Sequence, residues 1–263
     1  MIKNIEISRL MIKHLKVIDN QLDEMIRLGF DHKSIHAYRE SIRRFRALLF
    51  FFIPSMSAGQ YRFFEMVSER NFDMTSLIRE IDVFETGYGN YMKPETLEKL
   101  AEIKRPLLER LIEDTGRMYR FTERMPKMVI RSIEEDHIAD YEKERQFMLF
   151  KEFIETDAMI AEGQEKYILN KRMLAKKLHY IHEILMPGNK DLDEVNEALA
   201  SFQVIAKQLH DVCVNLRFVG QYQLDDSELI AKLVQDHVNF SKQSDAAYDR
   251  VCAAIVRYME RAE

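Results

Sequence analysis

Ile35-His36-Ala37-Tyr38-Arg39-Glu40-Ser41-Ile42-Arg43-Arg44-Phe45-Arg46-Ala47-Leu48-Leu49-Phe50-Phe51-Phe52-Ile53, closed by Pro54, decides the fold class. At about 100° per residue and with His36 at the origin, Arg39 falls at about −60°, Arg43 at about −20° and Arg46 at about −80°. Tyr38, Ile42, Phe45, Leu49 and Phe52 centre at about 200° on the same wheel. The stretch therefore predicts one helix with a basic stripe and an apolar core face. Neither set alternates with the period of two that a strand requires.

Outward from this helix, the 5 prolines divide the chain. A first helix is predicted from about residue 3 to 28, stopped by Gly29, and Ser34 is the expected N-cap of the second. Further helices are expected over Ser57 to Asn71 and Met74 to about Phe84, followed by a turn at Gly87-Tyr88-Gly89-Asn90. Pro94 suits the first position of another, with Glu95 and Glu98 in its first turn; Pro106 is a potential kink. Pro126 restarts a charged helix ending by Gly163. Next come Gln164 to Leu185, a helix capped by Asp191 or Asp193 running to about Val219, and one capped by Asp225 or Asp226 running to about Arg261. With 8 glycines among 263 residues and 46% hydrophobic content, the composition fits a helical protein with a real core. The expected fold is all-α, a helical bundle.

The basic helix has a counterpart. Arg172, Lys176 and His179 sit 133 residues after Arg39, Arg43 and Arg46, and Pro187 follows Pro54 at the same offset. Leu169 stands where the first stripe has His36. Ile81-Asp82-Val83 is matched by His210-Asp211-Val212, 129 residues on. Two similar helical halves in a single domain over 1–263 explain this: a first repeat over about 5–92, connecting helices over about 93–163, and a second repeat over about 164–263.

Like charges at i,i+3 and i,i+4 oppose helix formation by a few tenths of a kcal/mol each (roughly 0.2–0.5). A repulsive stripe present twice points to an anion, and the planar fork of arginine suits phosphate oxygens. Asp82 and Asp211 are read as orienters of the basic residues, by salt bridge or helix capping. The net charge of −5 disfavours a general nucleic-acid coat. Cys213 and Cys252 make no disulfide framework and are expected in the core, in a reducing cytoplasm. Residues 1–6 carry no apolar leader and the longest apolar run has seven residues, so neither secretion nor a membrane span is expected. Glu134-x-x-His137 lacks the second copy that a di-iron bundle needs. His182 falls on the core side of its helix and diverges from His179, so His179, His182 and Glu183 are not expected to form a metal site. The 15 methionines are read as core filler. No cofactor is expected.

The stretch from Ile35 to Leu49 resembles the first-repeat motif of the CHAD domain (conserved histidine α-helical domain): a histidine, an arginine three residues on, Arg-Arg-x-Arg and an apolar run. Arg79-Glu80-Ile81-Asp82-Val83, Lys176-Lys177-Leu178-His179-Tyr180 and Gln208-Leu209-His210-Asp211 resemble later elements of that family. The resemblance covers residues 5–222. It implies two helical repeats around a central basic channel that binds inorganic polyphosphate. His36, Arg39, Arg43, Arg46, Arg172, Lys176 and His179 would line it, with Asp82 and Asp211 in support. His179 stands where the family usually has arginine, which implies weaker or more pH-sensitive binding in the second repeat. Glu6-Ile7-Ser8 does not complete the Glu-x-Glu-x-Lys motif of the triphosphatase domain fused to some members, so a stand-alone domain is expected. The resemblance also implies a cytoplasmic protein associated with polyphosphate granules, with no specific nucleic-acid or membrane partner.

Three functions compete on these residues. The first is non-enzymatic polyphosphate binding. The second is a helical adaptor docking an acidic protein, which would show a large exposed apolar patch. The third is a phosphate-processing, metal-dependent enzyme, which needs carboxylates converging on the basic residues. Arg39 and Arg43 are both expected off the core face, so that replacing them would leave stability nearly unchanged.

Overall fold

The computed structural model describes residues 4–118, 120–123, 138–155 and 164–262. Among these residues the elements are helical and no strand occurs, as the all-α reading requires. They are α1 (Asn4–Arg27), α2 (His32–Phe52), α3 (Ala58–Asp73), α4 (Ser76–Tyr88), α5 (Pro94–Glu113), α6 (Ile138–Ile154), α7 (Gln164–Leu185), α8 (Asp193–Gln221) and α9 (Ser227–Ala262). Glu134 and His137 lie outside the described residues. None of the described helices is long and apolar enough to cross a membrane.

The chain forms two compact units: 1–85 with 98–142, and 86–97 with 143–263. In the first, α1 and α3 pack against α2. Tyr38, Ile42, Phe45, Leu49 and Phe52 are all buried, as the wheel predicts. Phe45 meets Phe64 and Phe121 edge-on, at 6.0 and 6.1 Å between ring centroids, the arrangement that aromatic quadrupoles favour. The Asp19 carboxylate accepts the backbone N–H groups of Phe121 and Thr122, each at 2.8 Å.

Helix ends show where local signals misled. α1 ends as expected at Gly29, whose φ of 64° suits a residue without Cβ. Gly29 N–H bonds to Ile26 O and Phe30 N–H to Met25 O, a Schellman closure with Phe30 buried beside it. The N-cap of α2 is Asp31, not Ser34: the Asp31 carboxylate accepts Ser34 N–H at 2.6 Å, and Ser34 Oγ donates back to Asp31 O. A carboxylate is the stronger acceptor for an orphan N–H, so the earlier residue takes the cap. α4 runs through Gly87 to Tyr88, past the expected stop at Phe84. Neither Asp191 nor Asp193 caps α8: Leu192 precedes it without a side-chain cap, and Asp193 and Glu194 lie in its first turn.

In the second unit α8 packs along α9, and α7 packs on α8. α7 has the predicted bounds. Asp226 caps α9 as one of the two expected residues, accepting Leu229 N–H at 3.3 Å. Its other oxygen accepts Lys93 N–H at 2.7 Å and the Thr96 hydroxyl at 3.0 Å, so one buried carboxylate serves two helix starts. Burial raises its pKa, but these hydrogen bonds overcome that effect and hold it below the usual value.

Candidate anion-binding site

The basic stripe of α2 is not a uniform surface. His36 is exposed, and Arg43 and Arg46 are half-buried. Arg43 approaches Glu40 at 3.5 Å and lies over the Phe72 ring, 5.0 Å from its centroid. Arg39 corrects the reading of the wheel: it is buried, with 5% of its surface exposed. Its guanidinium donates to Phe72 O at 2.5 Å, Thr75 Oγ1 at 2.9 Å and Ser76 Oγ at 3.0 Å. It also lies 3.5 Å from the Phe72 ring centroid. These acceptors mark the break between α3 and α4, where helix-end carbonyls lack intrahelical donors. A cation beside a helix C-terminus is also favoured by the dipole. Burial, then the charge of Arg43, push the Arg39 pKa down to about 9. It stays charged at neutral pH.

Asp82 is buried and pairs with Lys104 Nζ at 2.6 Å, and Glu85 approaches the same amine at 3.2 Å. Its cationic neighbour on this ion pair is therefore Lys104 of α5, a residue that sequence reasoning did not single out.

In the second unit, Arg172, Lys176 and His179 line one groove of about 280 Å³. They sit at i, i+4 and i+7 on α7, and the facing wall is α8, through Gln203 and Lys207 among others. All three are half-buried. Lys176 lies 5.5 Å from the Tyr180 ring centroid, and the His179 ring is 5.9 Å from the same ring. Gln203 Nε2 donates to Ala175 O at 3.3 Å, tying the two helices together beside the groove. Asp211 pairs with Lys207 at 2.6 Å.

The contrast with Arg39 has a local cause. Arg172 lies 133 residues on from Arg39, but α8 runs unbroken from Asp193 to Gln221. No helix break there offers orphan carbonyls to draw a guanidinium inward.

The remaining ionisable groups sort by burial. His182 is 2% exposed, and its Nδ1 lies 2.6 Å from Asn196 Oδ1. This is the core placement that the wheel predicted, and it separates His182 from the groove that His179 lines. His210 is half-buried; burial, and next the charge of Arg172, push its pKa down to about 4. Cys213 and Cys252 are half-buried, not core residues as expected. The reason is geometric: both lie on flanks of helices whose fully buried positions are taken by Val212 and Val251. Among the described residues, no group of three or more His, Cys, Asp or Glu side chains could hold a metal ion.

Sequence reasoning missed Lys207. The available signal was its position four residues before Asp211, the spacing at which a helix brings a lysine and a carboxylate together.

A family model described as CHAD domain matches residues 9–220. No curated protein matches the chain.

Proposed function

The chain belongs to the CHAD domain family, and on that premise we propose that it binds inorganic polyphosphate without chemically transforming it. The observation that carries this reading is the convergence of Arg172, Lys176 and His179 on one groove. Half-buried cations are partly stripped of water, so an anion beside them gains more than it would beside fully solvated ones. Arginine and lysine bind phosphate oxygens through short, charge-assisted hydrogen bonds. On α2, His36, Arg43 and Arg46 would supply the corresponding contacts. Arg39 would act from beneath, holding the α3–α4 break against α2. Asp82 would support the site through its ion pair with Lys104, and Asp211 would neutralise Lys207 until an anion arrives. A cytoplasmic setting, with association with polyphosphate granules, belongs to the same reading.

The test is a calorimetric titration with long-chain polyphosphate, run beside double-stranded DNA and an acidic peptide at matched charge. Polyphosphate should bind most tightly. Arg172→Ala and Lys176→Ala should each weaken it by about 1.5–3 kcal/mol, the range of a lost charge-assisted hydrogen bond. Preference for the acidic peptide would instead support a protein-docking adaptor. Equal affinity of wild type and both variants would exclude the groove as the site.

The groove also has an expected pH response. Burial, and next the charge of Arg172, hold the His210 pKa down at about 4, which leaves His179 as the imidazole that lines the groove. A bound polyanion favours protonated imidazole, and by linkage protonation favours the anion. Affinity should rise from pH 8 to pH 6. His179→Arg should tighten binding at pH 8 and flatten the profile. Identical profiles for wild type and His179→Arg would place His179 outside the site.

A further inference from the structure

From the α7–α8 groove we infer that Lys207 is a direct phosphate ligand, and that the groove holds a short phosphate segment within the second unit, with Asp211 as the counter-ion released from Lys207 on binding. The inference rests on the polyphosphate reading above and assigns a further residue and a ligand size to the same site.

Two helical ladders face each other here. Arg172, Lys176 and His179 form the α7 side, and Lys207 stands on the α8 side with Gln203 one turn before it. An anion between them is met from both walls. Lys207 also adds a cation on the α8 wall, across the groove from the α7 wall that carries Arg172 and Lys176. The volume of about 280 Å³ lies just below the roughly 300–1,000 Å³ of sites for drug-sized ligands. That size suits a few phosphoryl groups and not a folded polymer.

Asp211 makes the site responsive. Its carboxylate holds Lys207 Nζ at 2.6 Å along the same helix, and 55% of the lysine side chain remains exposed. An i,i+4 pair whose lysine is open to water contributes little to stability. A phosphate oxygen carrying comparable charge, and already held by Arg172 and Lys176, can displace it. Releasing the pair therefore costs little, and the flexible lysine stem lets the amine swing into the groove.

Inorganic triphosphate is the probe, titrated calorimetrically into the full chain alongside long-chain polyphosphate. Lys207→Gln should weaken triphosphate binding about tenfold and make it less dependent on salt. Lys207→Arg should retain it. Asp211→Asn should tighten it several-fold, because the competing carboxylate is gone. Wild-type affinity in Lys207→Gln, with loss in Arg172→Ala, would overturn the inference and leave the functional reading standing. Weaker binding in Asp211→Asn would overturn the counter-ion role. If wild type binds neither triphosphate nor long-chain polyphosphate, both readings fall. Lys207 is exposed, so unchanged thermal unfolding of its variants should accompany every result.

Discussion

Arg39→Ala should lower the free energy of unfolding by about 3 kcal/mol, most of it from groups that only the folded chain brings together. The guanidinium meets Phe72 O, Thr75 Oγ1 and Ser76 Oγ at 2.5–3.0 Å and covers the Phe72 ring. Hydrogen bonds to a charged group contribute about 1.5–3 kcal/mol, and a desolvated cation–aromatic contact adds up to about 2. Truncation leaves a void and removes a donor from the end of α3. The hydroxyls of Thr75 and Ser76 also donate to Phe72 O, at 3.0 and 3.1 Å, which keeps the loss from being larger. Arg39→Lys should cost about half as much, since it keeps the charge and loses the planar fork. Urea denaturation followed by circular dichroism measures both. If Arg39→Ala unfolds at the wild-type midpoint, the guanidinium is not held in the α3–α4 break. Arg43→Ala is the contrasting variant: Arg43 is half-buried, and its replacement should move the midpoint far less.

His182→Gln should destabilise the protein at pH 7.5, and the gap from wild type should close as the pH falls to 4. Burial pushes the His182 pKa down from about 6.5 to about 4, against the opposing bond to Asn196. Asn196 Oδ1 accepts, so Nδ1 carries the proton of the neutral ring, and Nε2 is left facing Gln146 Nε2 at 3.4 Å. The folded chain therefore takes up this proton less readily than the unfolded one. The stability associated with neutral His182 is fully present above pH 6.5. It is lost as the pH falls through the window down to about 4, and below that no further loss comes from this group. At about 1.36 kcal/mol per unit of pKa difference, the window is worth about 3 kcal/mol. Buried carboxylates titrate in both proteins, so the difference between the two curves isolates the histidine. Denaturation midpoints at pH 7.5, 6, 5 and 4 give the comparison. A constant gap across that range would mean that His182 does not bind its proton differently in the two states.

These two residues also divide what was legible in the chain. Both lie on helices read correctly from periodicity, and His182 was placed on the core side by its angle alone. Arg39 was not. Its angle puts it on the flank of α2, where a helical wheel treats solvent and a neighbouring helix alike. Burial there depends on α3 packing against that flank and ending nearby.

By itself, the sequence determined the helical class, the two basic helices and most element bounds, because these depend on contacts within about four residues. Local acceptor strength moved the α2 cap to Asp31, and helix propagation carried α4 through Gly87. The pairing of Asp82 with Lys104, the groove shared by α7 and α8, and the place of Lys207 within it were decided by tertiary structure. Each joins side chains from different helices, and the angle of a residue on its own helix carries no information about which helix packs opposite.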